Sequence, residues 1–412
     1  MVFDYKKQIW CIFILGTLCS LFYLTHQKIV IDSLQLLERG FWFTEGQLFP
    51  FGPRSTNTNY VFGPFISVFV GLFLKLYQHP IAPLLGILSL HILSFWVLLK
   101  INLFKPTQNF SLMYLALFWA SPWRASEVFL WNPAFIFPFI IFFLYGVERN
   151  FEEKDFWGTI LYGLMIGLSA QIHNSFLMMI VFVMMMYFKK QMKVHWPALV
   201  LSALVGLCFF IPTIIVVMKH PDILVYNQGP ARLFSNLLTG GEMIKGWSYW
   251  LRYASLYFGS TTFQLPEIKF SEASVFEILW FAVKWFMALL SFVVVIVANW
   301  KFFTTQKNTK LYHVAVSAFF CLAFFSALSP VPFNFWHLYL MFPFTLIPVS
   351  FYLQDKTKYL PWLGLYFVIY TLVSGSFSYK HDSALSQKES YQQVLNNREG
   401  IRAQFEKYSL QF

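Results

Sequence analysis

Long apolar stretches separated by short polar turns recur along the chain, covering residues 8–25, 81–99, 108–123, 130–147, 157–174, 175–188, 196–218, 276–300, 312–330, 337–353 and 359–377. Each approaches the length needed to cross about 30 Å of hydrocarbon, although Pro residues and short runs leave several ends open. The pattern predicts an all-α, polytopic transmembrane helix bundle of about 11 spans. Residues 61–78 are also apolar enough to span.

Lys and Arg in the short turns set the orientation. If the helices alternate, Lys6 and Lys7, Lys100 and Lys105, Arg149 and Lys154, Lys189, Lys190 and Lys193, Lys301, Lys307 and Lys310, and Lys356 and Lys358 share one side. Counting 61–78 as a full crossing would reverse that bias in every later turn. The segment around Gly63 and Pro64 is therefore expected to be a re-entrant or interface-lying helix on the exoplasmic side.

The same assignment makes residues 26–60 the first exoplasmic loop, and it puts the turns after Trp123, around His173 and at 329–336 on that face. Residues 219–275 belong there too, as a membrane-hugging loop in which Pro, Gly and Asn punctuate short aromatic helices. Residues 1–377 then form one membrane domain. The polar tail 378–412 has the spacing of a modest amphipathic helix, too short to bury a core of its own.

Composition describes the solvent the chain is built for: 58% of residues are hydrophobic and only 12% charged, against about 25% charged in soluble proteins. The 51 Phe, 21 Tyr and 15 Trp suit lipid contact and interfacial belts, and also a groove for an acyl or prenyl chain. A net charge of +11 comes without a basic run that could track a phosphate backbone, so it reads as topology rather than nucleic-acid binding. Cys11, Cys19, Cys208 and Cys321 all lie in apolar stretches without disulfide or zinc spacing. Lys6 and Lys7 precede an apolar run with no convincing cleavage site, which fits a retained signal-anchor helix.

The motifs of soluble nucleotide enzymes, metalloproteases and serine hydrolases are missing. Polar groups gather instead at helix ends on the exoplasmic face: Asp32, Glu38, Arg39, Arg54, Asn57 and Asn59, then Arg124, Glu127 and Asn132, then Gln171, His173 and Asn174, then Asn334 and His337. A cleft where these ends converge is the expected site. Asp32 stands out as an acid eight residues past the first hydrophobic segment, 9–24.

The run IDSLQLLERGFWFTEGQLFPFGPRSTNTNYVFGPF (31–65) resembles the first exoplasmic loop of the GT-C glycosyltransferases, membrane enzymes that take a sugar from a polyprenyl phosphate carrier. The order of Asp32, Leu34 to Leu37, Pro53 to Asn59 and Gly63-Pro64 carries the resemblance. SPWRASEVFLWNPAF, AQIHNSF and FNFWHLYLMFPF are similar to further stretches of the bacterial members, among them the protein O-mannosyltransferases and lipid A aminoarabinose transferases. The layout is shared over most of the chain through short motifs. Asp32 stands before Ser33 rather than in an Asp-Glu pair, Glu127 replaces the Arg or Asp of many relatives, and no large C-terminal domain follows.

The resemblance implies an inverting transfer to a hydroxyl acceptor, with Asp32 as catalytic base, Arg54, Arg124 and Arg252 toward the donor phosphate, and Glu127, Asn59, His173 and His337 toward substrate. A phosphate leaving group needs no general acid, so one carboxylate suffices. No cofactor is implied, and a divalent ion between Asp32 and Glu127 is the less favoured alternative. The implied partners are the membrane, a polyprenyl-phosphate-linked sugar and a glycan, glycolipid or protein acceptor, and the implied place is a bacterial inner membrane with the site on the periplasmic side.

Read without the resemblance, each residue keeps a simpler role: Arg54 could meet lipid headgroups, Glu127 could pair with Arg124, and either His could be a hydrogen-bonded structural group. A transporter or lipid flippase is the main alternative for the chain, and a non-catalytic GT-C-like subunit or oligosaccharide ligase a further one. The scarcity of ionisable residues inside the spans, essentially Lys75, His91 and Lys284, speaks against transport.

Overall fold

A computed structural model describes residues 4–26, 31–54, 60–224, 240–258, 273–327, 335–380, 396 and 408–411. The described chain is helical, with two short strand pairings and no barrel. The helices are α1 (Tyr5–His26), α2 (Ile31–Thr44), α3 (Phe65–Leu76), α4 (Ile81–Leu98), α5 (Gln108–Trp119), α6 (Pro122–Ala125), α7 (Ile136–Glu148) and α8 (Phe156–Ala170), followed by α9 (Phe176–Phe188) and α10 (Trp196–Lys219). After these come α11 (Gly241–Ala254), α12 (Val275–Thr305), α13 (Lys310–Ala327), α14 (Phe342–Leu353) and α15 (Leu360–Lys380).

Every apolar window contains a helix, yet the count of eleven spans does not carry over. Five described helices are long and apolar enough to cross a membrane: α1, α4, α10, α12 and α13. By contrast α5, α7, α8, α9 and α14 have between 12 and 15 residues, or roughly 18–22 Å of helix. The cause is local punctuation inside the apolar runs. Ser121 caps a new helix that opens on Pro122, Gln171 closes α8, and a 3-10 segment, Phe335–Met341, precedes α14.

The crossing helices differ in what surrounds them. Only 17% of the apolar window of α12 and 22% of that of α10 are buried in protein, against 56% for α4. The first two thus present faces such as Leu279, Val283, Phe286, Leu204 and Leu207 outward, as lipid-facing helices do. His91, in the middle of α4, is held inside the bundle, where its Nε2 donates to the Ala134 carbonyl at 2.7 Å.

The segment 61–78 begins as a strand, Tyr60–Phe62, and continues as α3. With 12 residues, or roughly 18 Å, α3 is shorter than a bilayer core and packs on α2 instead. A Cβ at Gly40 would strike Val70 and Leu74, and one at Gly71 would strike Phe43, so the two helices approach closely because these positions lack side chains.

The stretch expected to hug the membrane as a loop contains α11, and this helix is inserted into the bundle. Trp250 is fully buried and donates its Nε1 proton to Asn299 at 2.9 Å, while Trp247 stacks on Phe319 with 5.5 Å between ring centroids. The amphipathic helix expected in the tail lies outside the described residues, and residues 410–411 form a strand paired with 47–48.

Candidate functional site

The site grows around an interruption between α5 and α7. After Trp119 the chain makes the one-turn α6, then an irregular run through Glu127, then a 3-10 turn, Asn132–Phe135, before α7 begins. Residues 119–131 are all buried, which is the condition under which irregular backbone is tolerated at membrane depth.

Arg124 closes this break. Its Nε donates to the Trp119 carbonyl at 2.9 Å, its Nη2 donates to Trp119 and to the Gly16 carbonyl at 2.9 Å, and its guanidinium lies 3.8 Å from the Trp119 ring centroid. A cation here neutralises the carbonyl end of α5. Gly16 is the twelfth of the 22 residues of α1, so the interruption sits roughly 15 Å from either end of that helix, deeper than the exoplasmic turn expected after Trp123. Arg124 is 1% exposed. The expected role for Arg124 at a donor phosphate is therefore closed, because its hydrogen bonds go to backbone carbonyls in a sealed interior.

Glu127 is equally enclosed, at 1% exposure. Trp131 Nε1 donates to Oε2 at 2.8 Å and the Tyr339 hydroxyl to Oε1 at 2.5 Å. The pairing of Glu127 with Arg124 is not formed; aromatic donors take that place. Tyr339 comes from the segment before α14, and its ring lies 5.9 Å from Tyr253 and 6.3 Å from Trp123.

Arg252, near the end of α11, faces the same aromatic group. Its guanidinium carbon is 4.6 Å from the Tyr257 ring centroid, 5.5 Å from Trp123 and 5.7 Å from Tyr249. Unlike Arg124 it is only half-buried, so a cation lined by rings stays within reach of a ligand.

The first loop supplies the remaining groups. Asp32 is the second residue of α2 and is exposed; the chain around it still raises its carboxyl above the ordinary range by partial desolvation, which the charge of Arg39 two turns on opposes. Glu38 is 5% exposed and is pushed by burial to about 7, again against Arg39. Arg39 lies 4.9 Å from the Phe49 ring and 5.6 Å from Tyr60. Strands Phe51–Arg54 and Tyr60–Phe62 pair antiparallel as a hairpin, with Tyr60 on its second strand and Phe49 just before its first.

That hairpin is seated on Gln171, at the end of α8. Gln171 Oε1 accepts the backbone N–H of Phe65 at 3.2 Å, and Gly63, at φ +107°, leaves no room for a Cβ beside the Gln171 side chain. Two residues on, the His173 ring stacks on His337 with 5.1 Å between centroids and 24° between planes, and His173 Nδ1 accepts the Ser175 N–H at 3.0 Å. Burial holds both imidazoles below the usual histidine range, and the neighbouring His337 and Lys245 push the same way.

The structure thus joins Glu127 to the aromatic group beside Arg252, and His173 to His337. Among the described contacts Asp32 meets only the charge of Arg39. Arg54 belongs to a described strand but its side chain, like Asn57, Asn59 and Asn334, lies outside the described residues. Trp123, Trp131, Tyr253 and Tyr339 went unselected from the sequence. A faint signal existed for one of them, since Trp131 follows Glu127 by four residues, while nothing local links Glu127 to Tyr339. Among the described residues no group of three His, Cys, Asp or Glu side chains is arranged to hold a metal ion.

No protein-family model, curated protein or solved structure matches the chain.

Proposed function

We propose that this membrane protein is an inverting glycosyltransferase that moves a sugar from a polyprenyl-phosphate carrier to a hydroxyl acceptor of the cell envelope, such as lipopolysaccharide. The observation that carries the reading is the seating of the first-loop hairpin on Gln171, beside the stacked pair His173 and His337. It brings the loop with the GT-C-like order of residues against one of the other stretches that share the resemblance, which in turn packs on a second through His173 and His337.

In this mechanism Asp32, exposed and with a raised carboxyl, takes the proton of the acceptor hydroxyl as it attacks the anomeric carbon. Inversion follows from attack opposite the departing phosphate. Arg252 is the described cation suited to that phosphate, because the surrounding rings stabilise its charge while part of it stays accessible. Glu127 braces the site through Tyr339 and Trp131. The setting is a bacterial inner membrane with the site on the periplasmic side.

The test replaces the chromosomal copy with Asp32→Asn and profiles cell-envelope glycans against a deletion strain. The expected result is the deletion phenotype at normal protein level, a loss of about 10²- to 10⁴-fold in transfer. Retained transfer in Asp32→Asn would remove the base from the mechanism.

One observation favours a second reading. The buried interruption at Arg124, beside the middle of α1, puts irregular backbone and a cation deep in the bundle, as discontinuous helices do in transporters. Flux of a labelled lipid-linked sugar across proteoliposomes, unaffected by Asp32→Asn, would decide for it.

A further inference from the structure

Residues 408–411 join three parts of the chain that lie far apart in sequence. Strand Leu410–Gln411 runs antiparallel to Gln47–Leu48, with Gln47 opposite Gln411 and Leu48 opposite Leu410. The Tyr408 hydroxyl donates to Asp222 Oδ2 at 3.0 Å, and the Tyr408 ring stands edge-on to His220 at 5.6 Å. Tyr408 and Leu410 pack on a cluster made of Trp42, Phe49, Phe51 and Tyr60 from the first loop together with Val216 and Ile223 from the end of α10 and the turn after it. Phe49 and Tyr60 are the rings that hold the Arg39 guanidinium.

We infer that residues 408–411 are a strap that fixes the first-loop platform against the end of α10 and so positions α2 with Asp32, Glu38 and Arg39. A two-stranded hairpin is marginal by itself. Gln171 holds the far end of the platform, Ser67 on α3 donates its hydroxyl to the Phe49 carbonyl, and Thr213 on α10 donates its hydroxyl to the Pro50 carbonyl. Two ladder residues make a weak attachment when free, but the strap belongs to the same chain, so its local concentration is high without any large interface. Tyr408 and Leu410 are positioning residues in this arrangement. The inference rests on these contacts alone and is independent of the reaction proposed above.

Hydrogen exchange on the full-length protein in detergent micelles tests it, with α7 as an internal reference. Leu410→Asp puts a charge into the cluster, and amides of 47–54 and 60–62 are expected to exchange about ten-fold faster while those of α7 stay unchanged. Tyr408→Phe removes only the bond to Asp222 and is expected to give a rise of about two- to threefold in the same amides. Unchanged exchange at 47–62 in Leu410→Asp overturns the strap. A uniform acceleration that includes α7 overturns it as well, because the tail would then support the whole bundle rather than position one platform.

Discussion

The first-loop platform and the interruption between α5 and α7 both carry acids and arginines, and they differ in what they leave accessible. On the platform Glu38 and Arg39 are buried, Arg39 against the Phe49 and Tyr60 rings, while Asp32 stays exposed. In the interruption Arg124 and Glu127 are each 1% exposed and hydrogen-bonded to fixed partners. Glu127 follows Arg124 by three positions, yet one seals a helix end and the other anchors an aromatic network. Access to solvent, more than residue type, separates groups that can exchange protons with a substrate from groups that hold the fold.

Substituting Asp32 should break this contrast most clearly. Asp32→Asn is expected to reduce transfer by about 10²- to 10⁴-fold and leave thermal stability unchanged, since an exposed acid contributes little to folding. A loss of stability in Asp32→Asn would place Asp32 with Glu127 among the groups that hold the fold.

Removing Arg124 is the next largest effect. Arg124→Ala leaves the Trp119 and Gly16 carbonyls without their donor and a void against the Trp119 ring. A loss of about 3 kcal/mol follows from those two mechanisms, measurable by thermal or denaturant unfolding in micelles. A loss below about 0.5 kcal/mol would return Arg124 to the candidates for a ligand contact.

Gly63→Ala comes third, at about 2 kcal/mol. It adds a Cβ at φ +107° where the Gln171 side chain already lies, and the expected signature is faster exchange in the hairpin rather than in α7. The smallest effect is a dependence on pH. Burial raises the Glu38 carboxyl to about 7, against the charge of Arg39, so the stability linked to its neutral form is fully present below the ordinary carboxylate value and is lost as pH rises through about 7. The melting temperature is expected to fall by about 3 °C between pH 5 and pH 8, and Glu38→Gln should flatten that curve. A melting temperature that rises over this range would contradict the burial of Glu38.

Much of the fold could be read from the chain. The apolar windows located the helices because burial in lipid or protein requires unbroken runs, and each window does contain one. Their lengths were less legible. Ser121-Pro122 and the turn at Gln171 end helices inside runs that still look continuous by hydropathy, since a buried irregular segment needs apolar residues as much as a helix does. The site was partly legible for a similar reason. Polar residues at helix ends drew attention to Glu127, His173 and His337, and the resemblance to Arg252, but their partners Tyr339, Trp123 and Tyr253 carry no charge and looked like the other aromatic residues.

Sequence alone determined that this chain is helical and made for a membrane, because hydrophobicity and its periodicity are properties of short segments. It also marked Asp32, through its place beside the first apolar run. Tertiary structure decided which charged groups stay accessible. Arg124 turns inward because the end of α5 and the middle of α1 present carbonyls at one point, and Arg252 stays partly exposed because three rings line it without closing over it. It also brought Leu410 to Leu48 across the length of the protein. Such pairings depend on how helices pack, a property that no local window of residues contains.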